Sequence, residues 1–498
     1  MSQAYDVIVV GGGNAAMCAA IAASEGGARV LVLERAPFEE RGGNSAYTDG
    51  KMRFAYTSQE DIVRLSEDLS EEEIANSDFG VYTECDYFDD MARITQHRCD
   101  PDLAEILVKQ SNATIHWLKG NGVRFMPNYG RQAYRVNGKF KFWGGVPIVT
   151  WGGGVGLVDA LYKAAEKKGI EVRYGAWVQD LVVREGRVVG VMARLEGLMQ
   201  PVEARAVVLG CGGFEANTEW RTRYLGPGWD LAKVRGTKYN TGDGLAMALR
   251  IGAQPYGHWS GCHAVGWERY ATDYGELSVT PNFQRHSYTF AIMVNSEGRR
   301  FVDEGADIRN YTYAKYGHAV LAQPGQYAWQ VYDAKVLHLL LGEYHTKQVT
   351  KVRADTLAEL ADKMGDVDKT QFLRTVADYN AAVRDDHAFD PNIKDARTTV
   401  GLALPKSNWA LTIDTPPFEA YAITCGVTFT FGGLRINGDG QVMNTNHEPI
   451  PGLFAAGEMV GGIFYFNYPG ASGLTSGSVF GRLAGGGAAR YAQAVRAG

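Results

Sequence analysis

Long apolar runs, paired cysteines and basic clusters are all missing from this sequence of 498 residues. No segment reaches the roughly 18 apolar residues that a membrane span needs, and the start, MSQAYDVIVVGGG, lacks the basic region of a secretory signal. The six cysteines show neither a CxxC pair nor metal-ligand spacing. A net charge of −6 without a lysine- and arginine-rich run gives no case for nucleic acid. We therefore expect a cytoplasmic protein with reduced thiols and with no membrane span, metal site or nucleic-acid partner.

Glycine is abundant instead, with 61 residues, many of them in short clusters such as Gly11-Gly12-Gly13 and Gly461-Gly462. An average protein contains about 7% glycine, and such clusters are typical where the backbone closely approaches another group. A large cofactor would account for them. The chain also exceeds the roughly 250 to 300 residues at which a single core stops growing, which favours two intertwined domains.

The N-terminal region reads as a strand, a glycine turn and a helix. The apolar residues 5–10 lead into Gly11-x-Gly13-x-x-Ala16, and a second strand, residues 29–33, ends at Glu34. In such a unit the glycines allow a tight turn that reaches a pyrophosphate at the helix N-terminus, and the acidic residue binds a ribose hydroxyl. NAD, NADP and FAD all share this pattern. It predicts a dinucleotide site that includes Gly11, Gly13, Asn14, Ala15, Ala16, Glu34 and Arg35.

The C-terminal region distinguishes among these cofactors. Residues 453–458, Leu-Phe-Ala-Ala-Gly-Glu, resemble the strand with which flavoproteins of the two-dinucleotide-fold type hold the middle of FAD. Residues 467–475 follow, and then an alanine- and glycine-rich helix over residues 476–490. The positive N-terminal end of that helix would face the flavin pyrimidine, where negative charge develops on reduction. FAD is therefore the expected cofactor.

Four more motifs resemble those of the flavoprotein subunits of succinate dehydrogenase and fumarate reductase. They are Arg41-Gly-Gly-Asn-Ser45, residues 206–214 (AVVLGCGGF), Gly236-Thr237 with residues 241–245 (TGDGL), and residues 294–304 (VNSEGRRFVDE). The resemblance implies FAD contacts at Gly42, Gly43, Asn44, Ser45, Gly212, Gly213, Thr241, Asp243, Gly457, Glu458, Ser472, Gly473 and Leu474. It also implies non-covalent FAD, because Asn44 stands where membrane succinate dehydrogenases carry the histidine that bonds to the flavin.

The same resemblance implies an α/β fold, a Rossmann-like FAD-binding domain of the two-dinucleotide-fold type with an inserted α+β capping domain. We expect the FAD-binding domain at residues 1–260 and 410–498, because the C-terminal loop supplies the last flavin contacts, and the capping domain at residues 261–409. Residues 356–386 read as two amphipathic helices of the capping domain. Without a CxxCH motif or a cysteine array, electrons would pass to a separate acceptor: quinone, a membrane redox protein or oxygen.

Within that family, three segments resemble the tricarballylate dehydrogenases, which desaturate a propane tricarboxylate to cis-aconitate. They are residues 406–410 (KSNWA), 416–421 (PPFEAY) and 425–433 (CGVTFTFGG). Two places depart from the fumarate reductases, which bind a dicarboxylate through histidines and an arginine. Thr428-Phe429 stand in place of the histidines, and Ser472-Gly473 stand in place of the arginine. The resemblance implies hydride transfer from a carboxylate substrate other than plain succinate to flavin N5.

Desaturation beside a carbonyl or carboxylate also needs a proton acceptor. The family precedent is an arginine just beyond residues 294–304, which implies Arg309. An arginine pKa near 12.5 must fall by about 5.5 units, roughly 7.5 kcal/mol, before the side chain acts as a base at pH 7. Asp303, Glu304 and Asp307 are candidates to relay its proton. The rival is Tyr468, because an ordinary tyrosine pKa near 10 is closer to neutrality.

Burying three carboxylates requires several paired donors. The candidates are His263, which is also a catalytic candidate, and Arg285, His286, Arg309, Thr428 and Thr430.

Three functional hypotheses remain open on the sequence. A tricarboxylate desaturase predicts a cationic pocket. A desaturase or ene-reductase like the Δ1-ketosteroid dehydrogenases predicts an apolar pocket. In those enzymes a Tyr-Pro-Gly segment helps to polarise a substrate ketone, and Tyr468-Pro469-Gly470 resembles it. A flavin-binding redox sensor predicts no room for a substrate. An apolar lining is favoured by a group of aromatic residues: Trp143, Trp151, Phe429, Phe431, Phe464, Tyr465 and Phe466.

Overall fold

The structure is a computed structural model that describes residues 5–142, 144–279 and 281–497. It divides into two compact units. The first comprises Met1–Gly226, Gly236–Cys262 and Phe429–Gly498, and the second comprises Pro227–Arg235 and His263–Thr428. The sequence predicts the return to the first unit at residue 410. In the structure residues 410–428 stay with the second unit, because the strand that begins at Phe418 pairs there with two other strands.

The strands of the described residues vary from two-residue pieces to one of 17 residues. In chain order they are β1 (Tyr5–Val10), β2 (Val30–Leu33), β3 (Lys51–Met52), β4 (Ser77–Asp78), β5 (Phe125–Pro127), β6 (Ala133–Val136), β7 (Lys139–Phe142), β8 (Ile148–Thr150), β9 (Glu171–Arg173), β10 (Trp177–Arg184), β11 (Arg187–Leu195), β12 (Leu198–Leu209), β13 (Lys233–Val234), β14 (Pro255–Glu268), β15 (Ile292–Val294), β16 (Tyr327–Tyr332), β17 (Lys351–Ala354), β18 (Phe418–Leu434), β19 (Gln441–Met443) and β20 (Pro449–Ala455).

The helices are longest where they cover the parallel sheet. They are α1 (Asn14–Glu25), α2 (Gln59–Leu65), α3 (Glu71–Ala75), α4 (Glu84–Ile94), α5 (Pro101–Gly120), α6 (Tyr129–Gln132), α7 (Gly153–Lys167), α8 (Thr218–Trp220), α9 (Asp243–Arg250), α10 (Tyr313–Leu321), α11 (Leu357–Met364), α12 (Lys369–Ala382) and α13 (Ser472–Ala497). Among the described residues no helix is both long enough and apolar enough to cross a membrane.

The first unit is built on a sheet in the order β10-β11-β12-β1-β2-β9, with β20 added beside β12. Strand β1 runs parallel to both β2 and β12, and β20 runs parallel to β12. Helix α13 packs on α1 through small residues, since a Cβ atom at Gly485 would overlap the backbone of Ala19. This arrangement confirms the predicted Rossmann-like fold, and residues 429–498 belong to the same unit.

The second unit is centred on β18, which pairs antiparallel with β16 and β17. The sheet order is β13-β18-β16-β15. Helices α11 and α12, the two that the sequence predicts within residues 356–386, pack on this sheet around Trp329, Phe372, Val376 and Phe418. Helices packed on a largely antiparallel sheet confirm an α+β unit.

Candidate active site

The turn after β1 is shaped to receive an anionic group. Gly11 has φ +106°, and a Cβ atom there would lie 2.6 Å from the carbonyl oxygen of Gly210. Helix α1 then starts with Gly13 at its N-cap, which supplies no side-chain acceptor. The backbone N–H groups of the first helical turn, including those of Ala15 and Ala16, therefore form an N-terminus of the kind that binds phosphate.

Glu34 lies against the same turn. Its Oε1 atom accepts a hydrogen bond of 2.7 Å from the backbone N–H of Ala36, and a Cβ atom at Gly12 would collide with its Oε2 atom. Burial raises the pKa of Glu34 to about 7, against the opposing effect of backbone hydrogen bonds from Ala36 and Gly12. The carboxyl group thus occupies the position that the sequence assigns to a ribose acceptor.

Arg35, Thr241 and Asp243 come together from distant parts of the first unit. The Arg35 guanidinium donates to Thr241 Oγ1 at 2.6 Å and pairs with Asp243 at 2.8 Å. The same guanidinium lies 4.6 Å from the ring centre of Trp177, whose Nε1–H donates to Asp243. The three predicted cofactor residues form one cluster, and the sequence did not indicate Trp177 as its fourth member.

Asn14 joins the glycine turn to two other predicted cofactor segments. Its backbone N–H donates to Ser45 Oγ at 3.1 Å, and its side-chain amide donates to the carbonyl oxygen of Leu474 at 2.8 Å. Ser472 is fully buried and accepts a hydrogen bond of 2.9 Å from the Tyr87 hydroxyl. A Cβ atom at Gly13 would lie 3.4 Å from the carbonyl oxygen of Gly42. The two glycine loops and the start of α13 are therefore adjacent.

Asn44, in place of a flavin-linked histidine, takes part in a buried network. Its Oδ1 atom accepts from the backbone N–H of Thr237 at 2.9 Å, and its Nδ2 donates to Glu215 at 2.5 Å. Glu215 also accepts from Asn240 Nδ2 at 2.6 Å. The sequence did not predict a role for Glu215. The feature that could have indicated one is its position directly after Gly212-Gly213-Phe214, in a segment expected to contact FAD.

Glu458 completes this network from the other side. Its Oε1 atom accepts from the backbone N–H of Thr430 at 2.7 Å and from the Thr430 hydroxyl at 3.0 Å. A Cβ atom at Gly213 would collide with this carboxyl group. Thr430 is predicted from the sequence as a substrate donor, but in the structure its hydroxyl donates to Glu458. Gly457 precedes Glu458 with φ +70° and approaches Ala15, so the predicted contacts of both ends of the chain meet here.

The C-terminal loop places Tyr468 in an aromatic cluster. The rings of Phe429 and Phe464 lie edge-on to the Tyr468 ring with centroids 5.3 and 5.4 Å away. Phe431 packs on both phenylalanines. Gly473 leaves room beside Phe429, because a Cβ atom there would come no closer than 3.7 Å. The cluster that the sequence predicts is present in part, since Trp143 lies outside the described residues and Trp151 is half exposed.

Arg53 fixes the backbone of that loop and was not indicated by the sequence. Its Nε–H donates to the carbonyl oxygen of Gly470 at 2.8 Å, and its Nη1 contacts Asp90 at 3.1 Å and the Tyr82 hydroxyl at 2.7 Å. Arg53 is fully buried. A buried arginine that donates hydrogen bonds to a carboxylate and to a carbonyl oxygen stabilises the conformation of the loop.

In the second unit, Arg285 is neutralised by a carboxylate. It forms a fully buried ion pair with Glu268 at 2.7 Å, and its Nη1 donates to the carbonyl oxygens of Asn282 and Gln284. Of its donors, Nε–H is left without a partner among the described residues. The structure thus gives Arg285, predicted as a substrate donor, a different set of partners.

His263 and His286 pack on the two sides of one tyrosine. Their rings lie 5.1 and 4.8 Å from the ring of Tyr313, both edge-on. Both histidines are buried, and burial, with the nearby charge of Arg235, holds the pKa of His263 well below its usual range. His263 is therefore neutral at pH 7. The structure brings these two predicted residues together and adds Tyr313.

Arg235 is the cation that sequence reasoning missed in the second unit. Its side chain is only 7% exposed. Its guanidinium makes no ion pair or hydrogen bond with the residues that the structure describes, and its Nε–H is buried without an acceptor. The nearest aromatic face is that of Trp267, at 5.9 Å. A buried arginine without an anion is costly, so this side chain calls for an anionic ligand.

Arg309 lies in a single helical turn, Arg309–Tyr311, and is partly exposed. The acids proposed to relay its proton have other partners. Glu304 pairs with Arg300 at 2.5 Å and accepts from the backbone N–H of Met293, while Asp303 accepts from the backbone N–H and the hydroxyl of Ser407.

Thr428, another predicted substrate donor, is buried in β18.

The described residues contain no group of three or more metal-ligating side chains. The first unit has a helix N-terminus without a side-chain cap, a buried carboxyl group at the predicted ribose position and glycine turns at which a side chain would collide. These features define a dinucleotide-binding protein.

The chain belongs to the family of the FAD binding domain, whose model matches residues 6–474. It is 30% identical to a probable fumarate reductase, Ifc3, of Shewanella frigidimarina over 498 residues, 99% of this chain and 76% of the relative. A flavocytochrome c3 fumarate reductase in its open conformation is similar in structure, with a TM-score of 0.72 and 28% identity over 99% of this chain and 79% of that one.

A 3-ketosteroid Δ1-dehydrogenase from Sterolibacterium denitrificans shares the fold, with a TM-score of 0.74 and 22% identity over 98% of this chain and 100% of that one. The expected family and cofactor are confirmed. The protein is an FAD-dependent oxidoreductase of the fumarate reductase family that acts on carbon–carbon bonds.

Proposed function

We propose that the protein interconverts a saturated and an unsaturated carboxylate, with tricarballylate and cis-aconitate as the substrate pair. Arg235 carries this proposal. A guanidinium that is nine-tenths buried and lacks an anionic partner matches a substrate carboxylate, which it can bind through two parallel hydrogen bonds. A ketone substrate would leave that charge uncompensated.

The position of Arg235 along the chain supports a role in the reaction. It immediately precedes Gly236-Thr237, and Thr237 holds Asn44 of the flavin loop through its backbone N–H. Tricarballylate would need further donors, and His263, His286 and Tyr313 belong to the same unit as Arg235. Since His263 is neutral, it can donate one N–H to a carboxylate without adding a second buried charge.

The reaction balances as the loss of two hydrogens from adjacent carbons. One leaves as a hydride and the other as a proton, while a double bond forms between the carbons. FAD, when bound, supplies the two-electron acceptor, and the Asn44 position, without a histidine, supports non-covalent binding. The electrons would leave to a separate acceptor, namely quinone, a membrane redox protein or oxygen, and we retain a cytoplasmic location as an expectation.

Arg309 remains our proposed proton carrier, with Tyr468 as the alternative. Asp303 and Glu304 are committed to Ser407 and Arg300, which leaves Asp307 as the acid of the proposed relay. Asp307 lies 3.7 Å from Lys394 at the nearest oxygen. In the reductive direction Arg309 would donate a proton, which an arginine does without any lowering of its pKa.

Desaturation beside a ketone is the second candidate. The observation that favours it is the aromatic cluster around Tyr468, which is apolar except for the phenol. A phenol in apolar surroundings can donate to a ketone oxygen as negative charge develops there.

Anaerobic titration of the flavin-loaded protein would test these functions. We expect tricarballylate to bleach the oxidised flavin band, and succinate and a cyclic 3-ketone to leave it unchanged. Arg309→Lys should slow the bleaching by about 100-fold or more, the usual contribution of a proton-transfer group, and Tyr468→Phe only a few-fold. Bleaching by the ketone alone, with the larger loss in Tyr468→Phe, would replace our proposal by the second candidate.

A further inference from the structure

Two carboxyl groups meet in the interior of the first unit, and none of the described residues places a cation between them. Glu215 is fully buried, and Glu458 faces it from the segment after β20. The nearby arginine, Arg221, donates to the backbone carbonyl oxygen of Glu215 at 2.6 Å and not to its carboxyl group. Two carboxylates in contact within a low-dielectric interior cannot both be ionised.

The hydrogen bonds favour one position for a shared proton. Asn44 and Asn240 both donate to Oε1 of Glu215, so that oxygen acts only as an acceptor. The other oxygen, Oε2, is buried and has no donor among the described residues. Glu458 Oε1 accepts two hydrogen bonds from Thr430, which favours its ionised form. The proton therefore belongs on Glu215 Oε2, from which it is donated to Glu458.

We propose that Glu215 is a positioning residue of the FAD site, which stays protonated and ties Glu458, Asn44 and Asn240 into one arrangement. These three partners lie in three separate segments, each of which contains predicted FAD contacts. A protonated Glu215 satisfies all of them at once. The proposal concerns cofactor binding, and so it is independent of the substrate.

The pH dependence follows from the chemistry of the pair. Burial first, and the neighbouring Glu458 second, raise the pKa of Glu215 well above its usual range. A group whose pKa is raised in the folded state contributes stability at low pH and loses it as the pH rises through the folded-state pKa. Above that point two negative charges would repel each other, and the arrangement of Asn44 and Glu458 would open. FAD binding should therefore weaken at alkaline pH.

Glu215→Gln separates this role from simple packing. A glutamine has the same shape, its Oε1 can accept from Asn44 and Asn240, and its Nε2–H can donate to Glu458 at every pH. Glu215→Ala removes all three bonds. Glu203→Gln is a matched control, because Glu203 is a half-exposed carboxylate of the same unit that pairs with Arg184.

The experiment measures the rate of FAD release, followed by the recovery of flavin fluorescence on dilution of the flavin-loaded protein between pH 6 and pH 10. We expect release from the wild type and from Glu203→Gln to accelerate about 10-fold or more at the alkaline end. Release from Glu215→Gln should equal the wild-type rate at pH 6 and should lack the alkaline acceleration relative to the wild type, and Glu215→Ala should release FAD about 10-fold faster at every pH. Glu34 is unchanged in all of these variants, so its titration near pH 7 cancels in the comparison.

Two results would overturn the proposal. If Glu215→Gln released FAD as fast as Glu215→Ala at pH 6, a carboxylate and not a protonated acid would be required. If Glu215→Gln kept the full alkaline acceleration, another group would be responsible. Should Glu215→Ala not fold, the comparison of Glu215→Gln with the wild type decides the matter alone.

Discussion

The candidate sites of the two units are built by different means. In the first unit the predicted cofactor site consists largely of backbone: a helix N-terminus with Gly13 at the N-cap, and glycine turns at Gly11 and Gly42. In the second unit the candidate substrate groups are side chains, and their roles depend on which distant residue each one meets. Arg285 meets Glu268 and is neutralised, whereas Arg235 meets no carboxylate among the described residues.

This difference explains what each kind of site reveals in a sequence. A backbone site needs particular residues at fixed spacing, because only glycine adopts certain φ values or tolerates close approach. A side-chain site needs a charge and a partner that can lie anywhere along the chain. The predictions below test this contrast, beginning with the largest expected effect.

Gly11→Ala should abolish FAD binding. The new Cβ atom would lie 2.6 Å from the carbonyl oxygen of Gly210 in a conformation that L residues rarely adopt, and the combined strain and overlap would cost about 3 kcal/mol or more. The measurement is the ratio of flavin to protein after purification. Gly175→Ala is the control, since Gly175 also has a positive φ but has open space around it. Equal flavin content in both variants would contradict the backbone origin of the site.

Arg285→Met should lower the free energy of unfolding by about 3 to 5 kcal/mol, because it leaves Glu268 buried and unpaired. Urea unfolding followed by tyrosine and tryptophan fluorescence measures the change. The double variant Arg285→Met, Glu268→Met should recover much of the loss, since neither charge then remains. A small loss in the single variant would indicate that Arg285 is held loosely enough to serve a substrate after all.

Glu34→Gln should remove a pH dependence from the stability of the FAD-free protein. The pKa of Glu34 is raised to about 7 in the folded protein, so its contribution is present below the unfolded-state pKa and is lost as the pH rises to 7. The wild type should lose up to about 3 kcal/mol over this range, relative to the variant. Thermal unfolding at several pH values would show parallel profiles for the two proteins if the prediction is wrong.

Tyr87→Phe should have the smallest effect, about 1 kcal/mol, because it removes one buried hydrogen bond to Ser472 Oγ. The melting temperature of the flavin-loaded protein should fall by about 1 to 2 °C, and FAD release should quicken slightly. Tyr174→Phe is the control, because its hydroxyl is outside this network. No difference between the two variants would show that the start of α13 does not depend on this bond.

In the first unit the sequence motifs predicted many of the residues that meet in the structure, but not Trp177, Arg53 or Glu215. Asn14, Ser45, Ser472 and Leu474 lie far apart in the chain, yet each belongs to a motif, and the structure places them together. Glu215 was not predicted, because an acidic residue after a glycine turn indicates no role by itself. Its role depends on Glu458, Asn44 and Asn240, which come from distant segments. Family and cofactor followed from the same motifs.

The second unit was predictable in its fold but only partly in its chemistry. The helices within residues 356–386 follow from their amphipathic pattern. Arg285 and Arg235 look alike in the sequence, and only the buried carboxylate of Glu268 distinguishes them. The second boundary was placed too early for the same reason, since the pairing of β18 with β16 and β17 is a long-range property.

The most direct test of a carboxylate substrate is the affinity of Arg235 variants for tricarballylate. The apparent dissociation constant can be taken from the dependence of the rate of anaerobic flavin bleaching on tricarballylate concentration, for the wild type, Arg235→Lys and Arg235→Gln, each with its FAD content and melting temperature measured. We predict a weakening of about 30-fold or more for Arg235→Gln, since removing one member of a buried charge pair costs about 2 to 5 kcal/mol, with a smaller loss for Arg235→Lys and full FAD content in both. Unchanged affinity for tricarballylate in Arg235→Gln would contradict the assignment of Arg235 and, with it, the case for a carboxylate substrate.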